Sequence, residues 1–324
     1  MSTHGEIVAS HVVLGAGPVG RAVVAALNTR GITPVVVTRG GTAVAGATIR
    51  RADVNVPPQA AAAGAGAQVI FHCVQPPYHR WPQEFPALQA SVVAAAGAAG
   101  ALLVVAESLY GYGPSGVALT EDMPLAATTR KGTVRAAMHR DLEAAHEDGR
   151  LRMVVGRASD FFGPGVDASA VGNRFFGPLV KGKAAPQTIR VVGDPDRRHT
   201  YTYVADFGEA LVRLAEDEGS WGRAWHVPNA PTVTTRVFAT AAADVAGTQL
   251  KLRAVKPWML RIAGVFQPAA KEVIEMLYEF EHDFVVDDTA YATRFGQHAT
   301  PLRDALAATV AAARATAVRN PGAR

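Results

Sequence analysis

Residues 11–31 read HVVLGAGPVGRAVVAALNTRG, and this stretch decides the fold of the chain. The apolar run that opens it ends in glycines, which is typical of a buried parallel strand. Apolar residues then recur at helical spacing, with Pro18 at an early helical position and Gly31 beyond the last turn. The stretch therefore predicts a strand, a tight loop and a helix.

The loop between this strand and this helix spells G-x-G-x-x-G with Gly15, Gly17 and Gly20. In this context Gly15 permits the turn, Gly17 lets a pyrophosphate approach the backbone, and Gly20 lets the helix pack on the strand. The unpaired N–H groups of the helix start favour phosphate. The pattern predicts a dinucleotide site that also includes Pro18 and Val19; a tight turn without a ligand is the alternative.

The end of the second predicted strand indicates which dinucleotide is bound. PVVVTR (34–39) ends in Thr38 and Arg39 and carries no acidic residue that could accept a ribose hydroxyl. A guanidinium there can bind a 2′-phosphate, so NADP is the preferred cofactor and NAD the second choice. Arg39 could instead be a solvated loop residue. Asp53 is predicted to hold the adenine amino group or to close a turn.

Composition excludes several function classes. The chain has 324 residues, 49% apolar and 19% charged, with a net charge of +4. Its cations are scattered, so we predict no nucleic-acid partner, and a small-molecule substrate is expected instead. No apolar run is long enough for a membrane span and no signal peptide is recognised, which predicts a cytoplasmic protein without membrane association. The lone Cys73 is expected to be a core thiol.

Strands and helices alternate through the first half of the chain. This alternation predicts a doubly wound parallel α/β sheet of the Rossmann type. The predicted strands after the first are 34–39, 47–54, 67–74, 101–108 and 151–158, and the longer helices are about 82–99 and 129–148.

After about residue 165 glycine and proline become frequent and the alternation is lost, which predicts a smaller C-terminal mixed α/β substrate domain. A strand at 188–193 and helices at 204–217 and 233–247 are predicted there. The predicted domains are an NAD(P)-binding domain of residues 1–165 to which 201–222 return, a substrate region of 166–200 and 223–314, and a disordered tail of 315–324.

Several segments resemble one known family. They are ESLYGYGP (107–114), TEDMPLAATTRKGTVRAAM (120–138), GRASDFFGPGV (156–166), YTYVADFGEAL (201–211) and TPLRDAL (300–306). Together with the glycine loop they resemble the extended short-chain dehydrogenase/reductase superfamily, in the branch of NAD(P)-dependent epimerases and dehydratases. The resemblance implies further cofactor contacts at Val74, Ser159 and Phe161.

The resemblance also locates an active-site helix, where the family pattern has Tyr-x-x-x-Lys. In this chain the Tyr position is Lys131 and the Lys position is Arg135. Two cations one turn apart favour a nearby anion. Our hypothesis is that both face the cofactor, with Arg135 holding ribose or phosphate and Lys131 contacting cofactor and substrate as a proton donor. A solvated basic helix end is the alternative.

The other catalytic candidates follow the fifth strand. The serine position of the family falls on Ala106, and Ser108 lies two residues further on. Tyr110 and Tyr112 each carry a phenol that could take the proton role or serve packing. The predicted catalytic set is therefore Lys131, Arg135, Ser108 and Tyr110.

The substrate side carries weaker signals. Where family members that act on nucleotide sugars have a diphosphate-binding arginine, this chain has His199, preceded by Arg197 and Arg198. Asp160 is predicted to lie near the nicotinamide amide or to cap a turn, and His72 to be a core histidine. No metal site is predicted. A mostly apolar pocket wall could be formed by Tyr201, Tyr203, Trp258, Phe266, Met276, Tyr278 and Phe280.

The predicted function is an NAD(P)-dependent oxidoreductase or epimerase/dehydratase-like enzyme acting on a small carbonyl, alcohol or sugar-derived substrate. The alternative is a non-catalytic NADP-binding protein with a regulatory or redox-sensing role. A homodimer is one option for assembly, because Val134, Met138 and Leu142 share a helix face that could pack on the sheet or on a second subunit.

Overall fold

The computed structural model describes residues 10–180, 186–255 and 274–319. Two residues of the predicted pocket wall, Trp258 and Phe266, lie outside these ranges. The strands are β1 His11–Leu14, β2 Val35–Thr38, β3 Thr48–Arg51, β4 Val69–His72, β5 Leu102–Ser108, β6 Arg152–Ala158, β7 Phe161–Phe162, β8 Gln187–Val192, β9 Arg198–His199, β10 Thr202–Tyr203, β11 Ala224–His226, β12 Val233–Thr234 and β13 Leu250–Val255.

Five helices, which start at residues 18, 81, 130, 204 and 235, lie close to their predicted positions, and the other helices of the described ranges had no predicted bounds. Proline stands at an early position of the first three helices along the chain, where its missing N–H costs nothing. The helices are α1 Pro18–Thr29, α2 Pro57–Gly64, α3 Trp81–Ala99, α4 Arg130–Glu147, α5 Asn173–Val180, α6 Val204–Glu216, α7 Thr235–Ala246, α8 Tyr278–Glu281, α9 Thr289–Phe295 and α10 Leu302–Arg319.

A parallel sheet of seven strands forms the centre of the fold, in the order β11-β6-β5-β4-β1-β2-β3. Val12 of β1 lies opposite Val35 of β2 and Ile70 of β4. These strands are buried on both faces, which explains why they read as continuous apolar runs rather than as alternating patterns. The doubly wound Rossmann prediction is confirmed.

The described chain divides into two compact units. Within the described ranges, the first unit contains residues 10–107, 134–156 and 207–224. The second unit contains residues 108–133, 157–180, 186–206, 225–255 and 274–319. The predicted boundaries differ from this division, because residues 108–133 and 157–165 group with the second unit. Their loops leave the strand ends and pack among the C-terminal segments.

The core of the first unit consists of valine, leucine and alanine side chains from the sheet and its helices. Burying a Val or Leu fully contributes about 1.5–3 kcal/mol, so this cluster is the main source of the unit's stability. Leu142 of α4 belongs to it, and Met138 is 1% exposed. The face predicted to pack on the sheet or on a second subunit is therefore largely used within the chain.

The second unit has its own core and several two-stranded pairings. Phe238 of α7 lies at its centre, with edge-on ring contacts to Phe162, Phe175 and Phe176. Strand β13 pairs in parallel with β8. This unit confirms the prediction of a C-terminal region with mixed secondary structure.

The C-terminal helix corrects the predicted tail. Residues 315–319 are helical rather than disordered, since α10 runs to Arg319, and residues 320–324 lie outside the described ranges. The run AAARATAVR is rich in alanine, the strongest helix former. None of the helices in the described ranges combines the length and the apolar character that a bilayer span requires.

Candidate functional site

The glycine loop adopts a conformation that its glycines make possible. Gly15 has φ +100°, a region that other residues rarely adopt, and its N–H donates to Val37 O at 3.0 Å. A Cβ on Gly15 would lie 3.0 Å from Cys73 O and 3.3 Å from Val74 Cα, and a Cβ on Gly20 would overlap Gly15 O. Val74 therefore lies against the loop, and its predicted contact with the cofactor stays a prediction.

Gly17 differs from the other two glycines because a Cβ there would meet no atom within 4 Å. It is exposed and precedes Pro18, the first residue of α1, with no side chain capping the helix. Val19 is buried beneath the turn. The open space at an uncapped helix start fits a pyrophosphate, which needs backbone N–H donors and no obstructing side chain.

Two arginines lie beside the end of β2. Arg39 is exposed and makes no hydrogen bond or ion pair among the residues that the structure describes. Arg51, which the sequence reading overlooked, ends β3 opposite Thr38 and donates to Gly40 O at 3.2 Å. Thr38 accepts from Thr42 N at 3.1 Å, which closes the intervening loop. Both guanidinium groups are exposed at this edge of the first unit.

Asp53 takes the turn role that was one of its two predicted alternatives. Its Oδ1 accepts from the backbone N of Asn55 at 3.0 Å and from the Asn55 side chain at 2.7 Å. Its own N–H donates to Gln59 Oε1 at 2.8 Å. These bonds fix the segment between β3 and α2.

Lys131 is fully buried in the second unit. Its Nζ lies 2.5 Å from Glu275 Oε1, and the exposed Arg130 lies 3.4 Å from the other oxygen of the same carboxylate. The carboxylate compensates a charge that would otherwise be costly to bury. The helix end is therefore not simply a solvated basic surface.

Arg135 has a different partner, in the first unit. Its guanidinium is 3.6 Å from Glu107 Oε1 and packs over the ring of Phe85 at 4.8 Å. The other oxygen of Glu107 faces His139 Nδ1 at 3.3 Å. The two helical cations thus have separate carboxylates within the protein, and neither depends on a bound anion for charge balance.

His72 is a core histidine, as predicted. It is 2% exposed and lies 6.2 Å from the ring of Phe85, edge to face. Burial and the neighbouring Arg135 lower the pKa of His72 to about 3. The imidazole is therefore neutral at every pH near 7. Burial likewise raises the pKa of the Cys73 thiol to about 12, so that thiol is unreactive.

Ser108 is the last residue of β5 and Tyr110 follows it, and both belong to the second unit. Ser108 Oγ is buried and makes no hydrogen bond within the described part of the chain. The backbone of Tyr110 lies so close to α4 that a Cβ on Gly132 would be 2.6 Å from Tyr110 O. Gly132 therefore lets the helix that carries Lys131 approach this loop.

Tyr112 belongs to a buried network instead of offering a free phenol. Arg157 Nη1 donates to Tyr112 Oη at 2.6 Å, and this oxygen is 2.8 Å from His226 Nε2. His226 Nδ1 donates to Asp287 O at 2.8 Å, which leaves Nε2 to accept from the phenol. Burial lowers the pKa of His226. No sequence signal linked these three distant residues.

The segment after β6 contains Ser159, Asp160 and Phe161. The Ser159 N–H donates to Thr202 Oγ1 at 3.1 Å, while Ser159 Oγ is buried without a hydrogen bond in the described ranges. Phe161 is half-buried. Asp160 Oδ2 is 3.1 Å from Nε2 of the buried His199. His199 therefore faces Asp160 and not the surface.

The two arginines that precede His199 both form ion pairs on the surface. Arg197 pairs with Asp194 at 3.3 Å and Arg198 with Asp283 at 2.8 Å, both on the surface. Tyr201 and Met276, predicted for the pocket wall, are core residues at 4% and 3% exposure. The remaining described members of that wall are half-buried: Tyr203, Tyr278 and Phe280.

The structure thus distributes the predicted site residues over the two units. The first unit holds Gly15, Gly17, Pro18, Val19, Gly20, Thr38, Arg39, Asp53, Val74 and Arg135. The second holds Ser108, Tyr110, Lys131, Ser159 and Phe161. Among the residues that the structure describes, no group of His, Cys, Asp and Glu side chains could hold a metal ion.

Comparison with known proteins identifies the family. The model of the NAD dependent epimerase/dehydratase family matches residues 11–227. A comparison with curated protein sequences finds no match.

Solved structures share the fold at low sequence identity. UDP-glucose 4-epimerase from Thermus thermophilus, in complex with NAD, is 20% identical with a TM-score of 0.73, over 94% of this chain and 99% of that one. The dTDP-glucose 4,6-dehydratase DesIV from Streptomyces venezuelae, a double mutant with NAD and DAU bound, is 17% identical with a TM-score of 0.74, over 95% and 98%. UDP-N-acetylglucosamine 4-epimerase from Bacillus cereus is 13% identical with a TM-score of 0.71, over 93% and 95%. With the family model covering most of its length, the chain belongs to the NAD dependent epimerase/dehydratase family.

Proposed function

We propose that the protein is an NAD(P)-dependent oxidoreductase or epimerase/dehydratase-like enzyme that acts on a small carbonyl, alcohol or sugar-derived substrate. The observation that carries this proposal is the open space at Gly17, at the uncapped start of α1. A bound nicotinamide cofactor would supply hydride transfer. The glycine loop would hold its pyrophosphate through backbone N–H groups.

We further propose that NADP is preferred. Arg39 and Arg51 present two exposed guanidinium groups at the end of β2, where the adenosine ribose of a dinucleotide lies in this fold. A 2′-phosphate would bind both guanidinium groups. The 2′-hydroxyl of NAD would have no carboxylate at this strand end to accept its hydrogen bond. Asp53 would shape the adjoining turn. NAD remains the alternative because the family as a whole is NAD dependent.

Lys131 is the proposed proton-handling group. Its ammonium is buried and held at one position by Glu275, which suits a group that must be aligned before reaction. The Ser108 hydroxyl and the Tyr110 phenol are the other candidates. Arg135 would act by holding α4 on β5 through Glu107.

Nucleotide titration tests the proposal. NADPH and NADH are added to the purified protein while nicotinamide fluorescence is followed, in the wild type, Arg39→Ala and Lys131→Met. We expect tight NADPH binding that Arg39→Ala weakens about tenfold, the equivalent of about 1.4 kcal/mol. Lys131→Met should change affinity by less than about threefold, provided the melting curve shows a folded protein. Absence of binding by either nucleotide would overturn the proposal.

A regulatory NADP-binding protein is the second candidate. Its support is the ion pair that engages the Lys131 ammonium, together with the absence of a tyrosine at that position. A panel of aldehydes, ketones, alcohols and nucleotide sugars, assayed for NADPH oxidation or NADP reduction, separates the two. Turnover that Lys131→Met abolishes supports the enzyme, and nucleotide binding without turnover of any member supports the regulator.

A further inference from the structure

His199 has hydrogen-bond acceptors at both ring nitrogens. Its Nδ1 lies 3.0 Å from the backbone oxygen of Glu279, and its Nε2 lies 3.1 Å from Asp160 Oδ2. A carbonyl oxygen only accepts, so Nδ1 carries a hydrogen. A second proton must then lie between Nε2 and Asp160 for that hydrogen bond to form. Asp160 and His199 are therefore a proton-sharing dyad.

The surroundings favour placing both protons on the imidazole. The ring is stacked on Phe280 at 4.8 Å and on Phe284 at 5.3 Å, and aromatic faces stabilise a cation. Glu279 is buried, and burial together with Asp160 raises its pKa well above the usual range, which disfavours a second anion beside the ring. The nearby Tyr201 ring, 4.6 Å away, has its hydroxyl engaged with Thr235. Asp160 is thus the counter-ion of the imidazolium.

The dyad meets solvent only through Asp160. The Asp160 side chain is 15% exposed, against 2% for His199. Its Oδ2 faces His199, and its backbone oxygen accepts from Thr202 N at 3.1 Å. Within the described part of the chain no hydrogen bond engages Oδ1. This oxygen is fixed in position and still able to accept.

Two buried polar atoms accompany this carboxylate. Glu279 Oε1 and Ser159 Oγ are buried without a hydrogen bond in the described ranges, although both residues adjoin the dyad, in space or in sequence. Asp160 also lies just beyond the carboxyl end of β6, the edge at which open α/β sheets bind ligands. The Ser159 hydroxyl without a partner in the described ranges, next to the open Asp160 Oδ1 at that edge, points to a ligand.

We infer that Asp160 is a substrate-binding carboxylate, held ionised and oriented by His199, and that it accepts a hydrogen bond from a hydroxyl or ammonium group of the substrate. The inference rests on the proposed function and specifies its substrate: the group that meets Asp160 is not a phosphate, because a second anion would be repelled. His199 is a positioning residue, since it is buried behind the carboxylate.

The protonation state is tested first, by nitrogen NMR of the full-length protein labelled at histidine. His199→Gln assigns the resonances among the 10 histidines. We expect both ring nitrogens of His199 to be protonated at pH 7.5 in the wild type, and only Nδ1 in Asp160→Asn. A singly protonated His199 in the wild type would place the second proton on Asp160 and overturn the inference that this carboxylate is held ionised.

Ligand contact is tested on the same sample, saturated with NADPH. Glucosamine, which carries an ammonium group and hydroxyls, should shift the His199 resonances, and Asp160→Asn should reduce this response at least tenfold. UDP should leave them unchanged. Asp283→Asn, an exposed carboxylate paired with Arg198, serves as the control and should respond like the wild type.

The outcomes separate the two proposals. A response to UDP in place of glucosamine, or to neither probe, overturns the role of Asp160 while NADPH binding still supports the proposed function. Failure to bind NADPH overturns the proposed function, whereas the protonation of His199 is read without any nucleotide.

Discussion

Lys131 Nζ lies 2.5 Å from Glu275 Oε1, in an ion pair whose lysine is completely buried. The residues are 144 positions apart in the chain, so this contact fastens the start of α4 to the C-terminal segment of the second unit. A buried ion pair adds little net stability compared with apolar packing. Removing one partner is nevertheless costly, because the other charge then stays buried without compensation.

Glu275→Gln should destabilise the protein because it leaves the Lys131 charge buried without this carboxylate. We expect a loss of roughly 3 kcal/mol in the free energy of unfolding, measured by urea denaturation. Arg130→Gln is the matched control, since Arg130 approaches the same carboxylate from an exposed position and should cost less than about 1 kcal/mol. Equal effects of both variants would contradict the importance of burial.

The glycine loop offers a contrast between two substitutions. Gly17→Ala places a Cβ in open space, so it should leave the melting temperature within about 2 °C and weaken NADPH binding at least tenfold. Gly20→Ala forces its Cβ into Gly15 O and should lower both stability and binding. Differential scanning fluorimetry and nicotinamide fluorescence measure the two effects. Unchanged NADPH affinity in a folded Gly17→Ala protein would argue against pyrophosphate at this position.

Arg51 and Arg50 are neighbours with different surroundings. Arg51→Ala should weaken NADPH binding about five- to tenfold and leave NADH binding unchanged, because it removes one charge-assisted contact to a 2′-phosphate. Arg50 donates to Ala63 O at the end of α2, so Arg50→Ala should not alter the preference between the nucleotides. The ratio of the two dissociation constants is the measurement. An equal loss of NADH affinity in Arg51→Ala would exclude a role in 2′-phosphate recognition.

His72 should make stability depend on pH. The pKa of His72 is about 3 in the folded protein, against a reference value of 6.5. Between these two pH values the unfolded chain binds a proton at His72 and the folded protein does not. The contribution of neutral His72 to the free energy of unfolding is complete above pH 6.5. It is lost as the pH falls through 6.5 towards 3. At pH 5.5 the loss is roughly 1.4 kcal/mol, which His72→Asn should remove.

The control for this experiment is the exposed His79. Urea denaturation at pH 7.5 and 5.5 is compared for the wild type, His72→Asn and His79→Asn. The difference between the wild type and His72→Asn should shrink at the lower pH, whereas His79→Asn should follow the wild type at both. A constant difference across pH would show that the pKa of His72 is not lowered in the folded protein.

Local pattern was sufficient for most of the first unit. The strands β1 to β6 and the helices α1, α3 and α4 lie within a few residues of their predicted positions, because apolar runs, glycines and prolines constrain the backbone at those positions. The glycine loop was located from sequence for the same reason. Helix α2 was not predicted, since PPQAAAAG contains few large apolar residues and so carries a weak helical pattern.

The partners of the charged residues could not be derived in this way. The sequence placed Lys131 and Arg135 one turn apart and predicted an external anion for them, but the tertiary structure supplies Glu275 and Glu107. It likewise turned His199 away from the surface and towards Asp160.

The sequence by itself determined the Rossmann fold, the family and the nucleotide loop, because each depends on residues that are close together along the chain. Only the tertiary structure decided which charges are neutralised within the protein, that Arg51 lies beside Thr38, and that His199 orients the Asp160 carboxylate. Those features depend on contacts between distant segments, where burial raises the free-energy cost of an unpaired charge and so selects its partner.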